Sequence, residues 1–293
     1  MLVVRNLTKV YPGPVAALQG VTLTLENGLF GLLGPNGAGK TTFMKILAGL
    51  LEPTAGEVTF DGDDIIAHPE RVWAKLGYLP QDFGFYPHLS GEAMLGYLLK
   101  LKGVRPEGGM RQYIASLLEQ VNLTFAKKRK VKTYSGGMRQ RLGIAQALAG
   151  SPRLIIVDEP TAGLDPEERF RFYHLLSELA QDRIVLLSTH IVEDVAVLCA
   201  KFAVIRGGKL MAQTSPTEAC RALEGQLYEG HVAKADLPDL KQRFNVTRSF
   251  LNEGRMKVRL HLPHDRPPDG FAPVAPTLED AYFALSRETG VAA

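Results

Sequence analysis

The chain has 293 residues, of which 45% are hydrophobic and 22% are charged, and its formal net charge is +3. This composition is typical of a soluble globular protein with a sizeable core, and so small a net charge gives no argument for a nucleic-acid partner. The two cysteines, Cys199 and Cys220, stand apart. They exclude a disulfide scaffold or a cysteine-rich zinc site and suit a reducing compartment.

The N-terminal residues lack the pattern of a signal peptide. No apolar run reaches the roughly 18 residues that a membrane-spanning helix needs. We therefore expect any role at a membrane to depend on a partner protein.

The first elements are short strands at residues 2–4 and 21–25, separated by a turn at residues 12–14. Tyr11 lies at this turn, ahead of the glycine-rich segment that follows. From its position alone, the ring could stack on a purine base or could equally be a half-buried turn tyrosine.

Residues 34–41 fit the pattern G-x-x-x-x-G-K-[ST], between an apolar run at 29–33 and apolar residues at helical spacing from Phe43. A strand, a glycine loop and a helix in this order predict a phosphate cradle, because backbone N–H groups and the helix N-terminus face the anion. We expect Lys40 to contact the β- and γ-phosphates and the Thr41 hydroxyl to bind Mg²⁺. The predicted nucleotide-binding residues of this segment are Gly34, Pro35, Asn36, Gly37, Ala38, Gly39, Lys40, Thr41 and Thr42.

A short hairpin is predicted where Val58 and Phe60 alternate into Asp61-Gly62, and another strand at 76–80 ends at Gln81. A lone glutamine indicates little by itself. The loop after it carries Phe83, Phe85 and Tyr86, which form either a local cluster or exposed anchors for a partner.

Helical spacing dominates residues 90–150, which predicts a helical insertion in an α/β chain. The basic run at 127–132 is most often a solvated face, although lipid headgroups or a partner's acidic loop could also meet it. Ser135 precedes a helix as an N-cap, and Gly136 and Gly137 make that helix start suitable for an anion.

Two further buried strands are predicted at 154–157 and 184–188. Asp158 and Glu159 close the first of them, where two adjacent carboxylates need a cation or a solvated cleft. We expect Asp158 to serve Mg²⁺ and Glu159 to polarise a water molecule. His190 follows the second strand, at the edge where open α/β sheets bind ligands.

A hairpin is predicted around Gly207-Gly208, and beyond about residue 213 the chain lacks phosphate loops and strand-end acids. Residues 256–262 alternate as a half-exposed strand. Thr277 and Asp280 approximate a capping box for a last helix.

Taken together, these motifs resemble the ATP-binding subunit of an ABC transporter, over about residues 2–212. The resemblance implies that Gln81 lies in the Q-loop, that Glu159 is the catalytic glutamate and that His190 is the switch histidine. It assigns Asp165 to the D-loop at 163–165, residues 134–138 to the signature motif, and an adenine-stacking role to Tyr11.

The implied fold is a P-loop NTPase core of α/β class with an inserted helical subdomain at about 85–150. The ATPase domain covers 1–212, and 213–293 form a small C-terminal α+β appendage. The family implies ATP and Mg²⁺ as cofactors, with Thr41, Gln81 and Asp158 at the metal. ATP hydrolysis makes the chain an enzyme.

The implied partners are a second copy, paired head to tail so that Ser135, Gly136 and Gly137 meet the other copy's ATP, and an integral membrane permease subunit. No nucleic acid is expected. The place implied is the cytoplasmic face of the membrane, with the permease docked at the loop after Gln81.

The signature departs from the family's usual Leu-Ser-Gly-Gly-Gln at Tyr134 and Met138, and Met138 cannot donate a hydrogen bond. This variant and the sequence Leu278-Glu279-Asp280 resemble the exporters with separate ATPase and membrane subunits. The alternatives are the ATPase of an importer, or a soluble ABC ATPase that acts on nucleic acid or ribosomes.

Overall fold

The computed structural model describes residues 1–161 and 164–286. They form two compact units. The first unit comprises Met1–His190 and Ile205–Leu210, and the second comprises Ile191–Val204 and the residues from Met211 onward. The domain boundary expected at residue 212 remains a prediction.

The first unit contains most of the predicted strands and helices. Its strands are β1 (Leu2–Tyr11), β2 (Val15–Leu25), β3 (Gly28–Leu33), β4 (Ala55–Phe60), β5 (Asp63–Asp64), β6 (Leu76–Leu79), β7 (Leu154–Asp158) and β8 (Ile184–Thr189). Its helices are α1 (Lys40–Leu47), α2 (Pro69–Trp73), α3 (Gly91–Leu101), α4 (Met110–Gln120), α5 (Gly136–Ala147) and α6 (Pro166–Leu179). The strand predicted at 2–4 extends to Tyr11 in the structure. The sequence analysis predicted no helix at α2 or α6.

A parallel sheet in the order β3-β8-β7-β6 positions the site. Leu33 pairs with Thr189 and Asp158 pairs with Ser188, so β3, β8 and β7 end at the same edge. Every residue of β7 and β8 is buried, which fits their continuous apolar runs. The polar residues that follow these strands therefore emerge together.

A smaller antiparallel sheet in the order β2-β1-β4-β5 precedes the helical part. Phe60 pairs with Asp63 across Asp61-Gly62, and both turn residues have positive φ, which confirms the predicted hairpin. The helices α3, α4 and α5 form the predicted helical insertion. Ser90 caps α3 by accepting a hydrogen bond from the Ala93 N–H.

The remaining elements follow His190. They are α7 (Val192–Leu198), β9 (Lys201–Arg206), β10 (Lys209–Thr214), α8 (Pro216–Arg221), β11 (Leu227–Val232), α9 (Leu237–Arg243), β12 (Val246–Asn252), β13 (Arg255–His261), β14 (Ala272–Pro273) and α10 (Leu278–Leu285). The strands β9 and β10 pair around Gly207-Gly208 as predicted. An antiparallel sheet in the order β12-β13-β11-β14 covers a small core built on Leu240, Val258 and Leu260.

A buried carboxylate holds the second unit together. Asp280 is 1% exposed and completes the predicted capping box of α10 with Thr277. Its Oδ2 also accepts a hydrogen bond from Arg259 Nη1 at 2.6 Å, and its Oδ1 accepts one from Thr247 Oγ1 at 3.1 Å. Arg259 pairs in turn with Glu229 at 2.8 Å. One side chain thus links α10 to β12 and β13.

We expect Asp280→Ala to destabilise the second unit by about 3 kcal/mol, because it leaves the Arg259 charge without its buried partner. Hydrogen exchange of the β11 and β13 amides would accelerate by about two orders of magnitude if those amides exchange through opening of this unit. The control is Glu279→Ala, which removes a half-exposed ion pair with Arg248 and is expected to cost less than about 1 kcal/mol. Equal effects of the two variants would contradict this role of Asp280.

Candidate functional site

The glycine loop before α1 is shaped for close approach of an anion. Gly37 and Gly39 have φ of 78° and 106°, which non-glycine residues rarely adopt. A Cβ at Gly39 would lie 2.4 Å from the Ala17 carbonyl oxygen, and one at Gly34 would lie 2.3 Å from that of Ile205. Gly39 is the N-cap of α1 and offers no side chain to its first turn. The N–H groups of that turn are thus available to a ligand.

Lys40 is the first residue of α1 and is 4% exposed. Its Nζ donates to the carbonyl oxygens of Gly34 at 2.8 Å and Pro35 at 3.3 Å, and it lies 3.1 Å from Oε1 of Glu159. A buried ammonium is tolerated only with such partners. The loop and the strand-end carboxylate therefore hold the lysine head at the mouth of the phosphate cradle.

The Glu159 backbone is fixed by the neighbouring strand. Its φ is 47°, an uncommon value for a residue with a side chain. Its N–H donates both to the Ser188 carbonyl at 3.1 Å and to Ser188 Oγ at 3.2 Å. These bonds offset the cost of the left-handed conformation and turn the carboxylate of Glu159 towards the loop.

The carboxylate of Glu159 gathers the residues that the sequence assigned to catalysis. Gln81 Nε2 donates to its Oε2 at 3.4 Å, and Nδ1 of His190 lies 3.2 Å from the same oxygen. Together with Lys40, this places three polar side chains on one carboxylate that is 8% exposed. The arrangement can hold a water molecule or a phosphate oxygen between a base and several donors.

Asp158 lies at the buried end of β7. Ser188 Oγ donates to its Oδ1, while Oδ2 has no hydrogen-bond partner among residues 1–161 and 164–286. A buried carboxylate oxygen without a donor is costly unless a cation meets it. Carboxylate oxygens are ligands that hard divalent cations prefer, so Asp158 suits such an ion.

Ser188 is a site residue that the sequence analysis missed. Its hydroxyl donates to Oδ1 of Asp158 and accepts from the backbone N–H of Glu159, so it holds one carboxylate and the backbone that carries the other. The available signal was a polar residue at the end of an otherwise apolar strand, directly before the Thr189-His190 pair.

Tyr11 lies beside the start of α1, where its hydroxyl is 3.4 Å from Thr42 Oγ1. The residue is 36% exposed, and Lys9 Nζ lies 5.5 Å from the ring centroid. The ring is therefore accessible to a ligand of the loop, although its stacking role remains a prediction.

The signature segment lies elsewhere on the first unit. Ser135 caps α5 by accepting from the Met138 N–H at 3.1 Å, and both Ser135 and Gly136 are exposed. Across the described ranges, no hydrogen bond or ion pair joins residues 135–137 to the phosphate loop. Gly137 is buried, and a Cβ there would lie 2.4 Å from Glu168 Oε2.

The two departures from the usual signature are buried. The Tyr134 hydroxyl donates to the Ala126 carbonyl at 2.9 Å within the helical insertion, and Met138 is 7% exposed. Gly163 of the predicted D-loop lies outside the described residues. Asp165 is exposed and caps α6, where its Oδ1 accepts from the Glu168 N–H at 2.8 Å.

A glycine phosphate loop at the edge of a parallel sheet, with Lys40 and two acidic residues at adjoining strand ends, defines a P-loop nucleotide hydrolase. A family model described as "ABC transporter" matches residues 18–162. The chain is 33% identical over 270 residues to the linearmycin resistance ATP-binding protein LnrL of Bacillus subtilis, covering 90% of this chain and 86% of that protein. It is 37% identical over 210 residues to the uncharacterized ABC transporter ATP-binding protein YxlF of the same organism, covering 72% and 69%.

The solved structures include a dimeric post-hydrolysis state of the ATP-binding cassette MJ0796 bound to ADP and Pi. It matches with a TM-score of 0.66 and 26% identity, over 73% of this chain and 98% of that chain. The chain belongs to the ABC transporter family as an ATP-binding protein. The predicted fold class and ATPase activity are confirmed, whereas the roles of individual site residues remain predictions.

We expect Glu159→Gln to bind ATP and to lose hydrolysis, because the amide keeps the shape of the side chain but cannot accept a proton. The measurements are ATP retention on a filter and phosphate release. The matched control is Glu178→Gln, an exposed glutamate on α6 that should leave both unchanged.

Lys40→Ala should show the opposite defect, a loss of ATP affinity of at least about tenfold, because a charged hydrogen-bond donor to the phosphates is removed.

Phosphate release near the normal rate in Glu159→Gln would assign the general base to another residue.

Proposed function

We propose that the chain is the ATP-hydrolysing subunit of an exporter, which works as a pair of copies on a separate membrane subunit. The observation that carries the catalytic part is the convergence of Lys40, Gln81 and His190 on the Glu159 carboxylate. In this proposal Lys40 and the loop N–H groups bind the phosphates, Glu159 accepts the proton of the attacking water, and His190 and Gln81 hold the γ-phosphate and that water in place.

Mg²⁺ fits the same site. Oδ2 of Asp158 is buried and has no hydrogen-bond partner in the part of the chain that the structure describes, so it suits a cation. Thr41, whose hydroxyl could bind the same ion, directly follows Lys40. We propose that Asp158, Thr41 and Gln81 hold the ion together with phosphate oxygens. An ion held there would neutralise negative charge on the phosphates.

The pairing of two copies is supported by the exposed start of α5. A capped helix N-terminus with two glycines favours an anion, yet no hydrogen bond or ion pair connects it to the phosphate loop within the described chain. A head-to-tail pair would bring Ser135 and Gly136 to the ATP of the other copy. The dimeric form of the similar cassette MJ0796 supports the pairing of two copies.

Gly136 allows a sharp test of the pair, because a Cβ there would meet no atom of the described residues within 4 Å. In a Glu159→Gln background, ATP is expected to convert monomers into dimers on size-exclusion chromatography. Adding Gly136→Arg should abolish dimers while each monomer keeps its melting temperature and its ATP binding. A dimer that persists with Gly136→Arg would contradict the proposed role of this helix start.

A membrane partner is supported by an exposed apolar groove on the first unit. Across the described ranges no helix is long and apolar enough to cross a bilayer. The groove has a volume of about 950 Å³, and three large side chains in its lining, Leu50, Trp73 and Leu101, are more than half exposed. Contiguous apolar exposure of this kind marks a protein interface.

The floor of the groove carries a donor. The Tyr78 hydroxyl is buried and has no hydrogen-bond partner within the described chain. Burial and the nearby charge of Asp158 raise the pKa of Tyr78 to about 12, so the hydroxyl stays protonated at neutral pH. We propose that a cytoplasmic helix of the permease fills this groove.

The aromatic side chains of the loop after Gln81 fall into two groups that differ in packing and exposure. Phe83 and Phe85 pack edge to face, with centroids 5.2 Å apart, and so form a local cluster. Tyr86 is 57% exposed and contacts Tyr97 at a centroid distance of 5.4 Å. Tyr86 is therefore the better candidate for the permease contact that the family resemblance implies.

We expect Trp73→Ser and Tyr86→Ala each to leave the ATPase rate of the isolated subunit unchanged and to reduce its retention on the permease in detergent. The matched control is Phe125→Ala, which removes an aromatic ring that is 69% exposed and lies outside the groove. Full retention of the Trp73→Ser, Tyr86→Ala double variant would rule out both contacts.

The direction of transport is the finer part of the proposal. The name of LnrL, a resistance protein, supports an exporter, since resistance is commonly achieved by removal of a compound. Transport assays with the permease in vesicles would decide between export and import.

A further inference from the structure

A second groove lies on the helical insertion, between α3 and α4. Its volume is about 1020 Å³, and apolar side chains that include Tyr97, Met110 and Ile114 line it. Lys100 and Leu101 are neighbours on α3, yet Lys100 lines this groove and Leu101 lines the apolar groove described above. The two sides of α3 therefore offer different chemistry.

Four cations line this second groove. They are Lys100 on α3, Arg111 on α4, and Lys127 and Lys128 from the basic run; we call the site the basic groove. Within residues 1–161 and 164–286, none of the four side chains forms an ion pair or a hydrogen bond. Glu92 is the single acidic side chain among the lining residues that the structure describes. The groove thus has uncompensated positive charge above an apolar floor.

The chemistry of the cations favours one kind of ligand. Three of the four are lysines, which carry point charges on flexible stems and lack the rigid fork with which arginine binds carboxylates. The basic run continues with Arg129, Lys130 and Lys132, all exposed, so the charge is spread over a surface. Tyr97 is 40% exposed, and an amphipathic tyrosine ring is at home between a polar and an apolar phase. Diffuse lysine charge beside such a ring matches a surface of anionic headgroups better than a single acidic peptide.

We propose that the basic groove binds the anionic phospholipid headgroups of a membrane surface. The inference rests on the proposed function in one respect, because it places the subunit beside a membrane. Phosphate groups would pair with Lys100, Lys127 and Lys128, while Tyr97 contacts the interfacial region. The contact would orient the helical insertion towards the bilayer, independently of the permease.

The test is cosedimentation of the full chain with vesicles of phosphatidylcholine containing about one third phosphatidylglycerol, compared with phosphatidylcholine alone. We expect binding to the anionic vesicles only, and its loss when NaCl is raised from about 0.1 M to about 0.5 M. Because each cation near an anionic surface contributes about fivefold, Lys127→Gln with Lys128→Gln should lower the partition constant about 25-fold. The ATPase rate without vesicles should be unchanged in this double variant.

The matched control is Lys234→Gln with Lys241→Gln, which removes the same charge from exposed positions of the second unit and should leave vesicle binding unchanged. No binding of the wild-type chain to anionic vesicles would overturn the proposal, as would an equal loss in the control. The wild-type chain could fail to bind vesicles while the double variant Lys127→Gln, Lys128→Gln shows weaker retention on the permease. That result would overturn the proposal and identify an acidic protein segment as the ligand. Failure of the proposed function would appear separately, as an absence of ATPase activity in a chain that still binds vesicles.

Discussion

The buried ion pair between Lys40 and Glu159 is the interaction on which the site depends. Its two charged atoms lie 3.1 Å apart, and both residues are less than a tenth exposed. Neither charge would be stable there alone, since the desolvation cost of an isolated buried ion is several kcal/mol. If Lys40 binds a phosphate as proposed, that phosphate would compete with Glu159 for the Lys40 ammonium group. In the proposed function, nucleotide binding and the freedom of the Glu159 carboxylate would therefore be linked through one lysine.

This pair exists because parallel strands end together. The register that joins Leu33 to Thr189 and Asp158 to Ser188 sets the phosphate loop, the two acidic residues and His190 at one edge of the sheet. Ser188 on the neighbouring strand then bonds the Asp158 carboxylate and the backbone N–H of Glu159. The apolar interiors of β7 and β8 leave these polar groups no other place than the strand ends.

Three surfaces of the first unit differ in their chemistry. The exposed, Ser135-capped start of α5, the apolar groove beside Tyr78, and the basic groove on the other side of α3 would suit three different partners. Tyr134, beside the start of α5, is buried and donates to the Ala126 carbonyl within the helical insertion. The second unit depends on a different buried charge, the Asp280 carboxylate shared by Arg259, Thr277 and Thr247.

The sequence by itself determined the features that are local along the chain. The glycine loop, the Asp61-Gly62 hairpin and the Thr277–Asp280 capping box each depend on residues within about ten positions, so spacing and conformational preference are enough to predict them. The order of several such motifs was also enough to predict the family. The tertiary structure alone decided what depends on distant residues.

Gln81 and His190 are 78 and 31 positions from Glu159, yet both reach the same carboxylate oxygen. The role of Ser188, the burial of Met138 and the division of the aromatic loop likewise follow from strand register and packing. No periodicity in a single sequence encodes which strand end meets which, because that choice is made by the whole sheet when its apolar faces are buried.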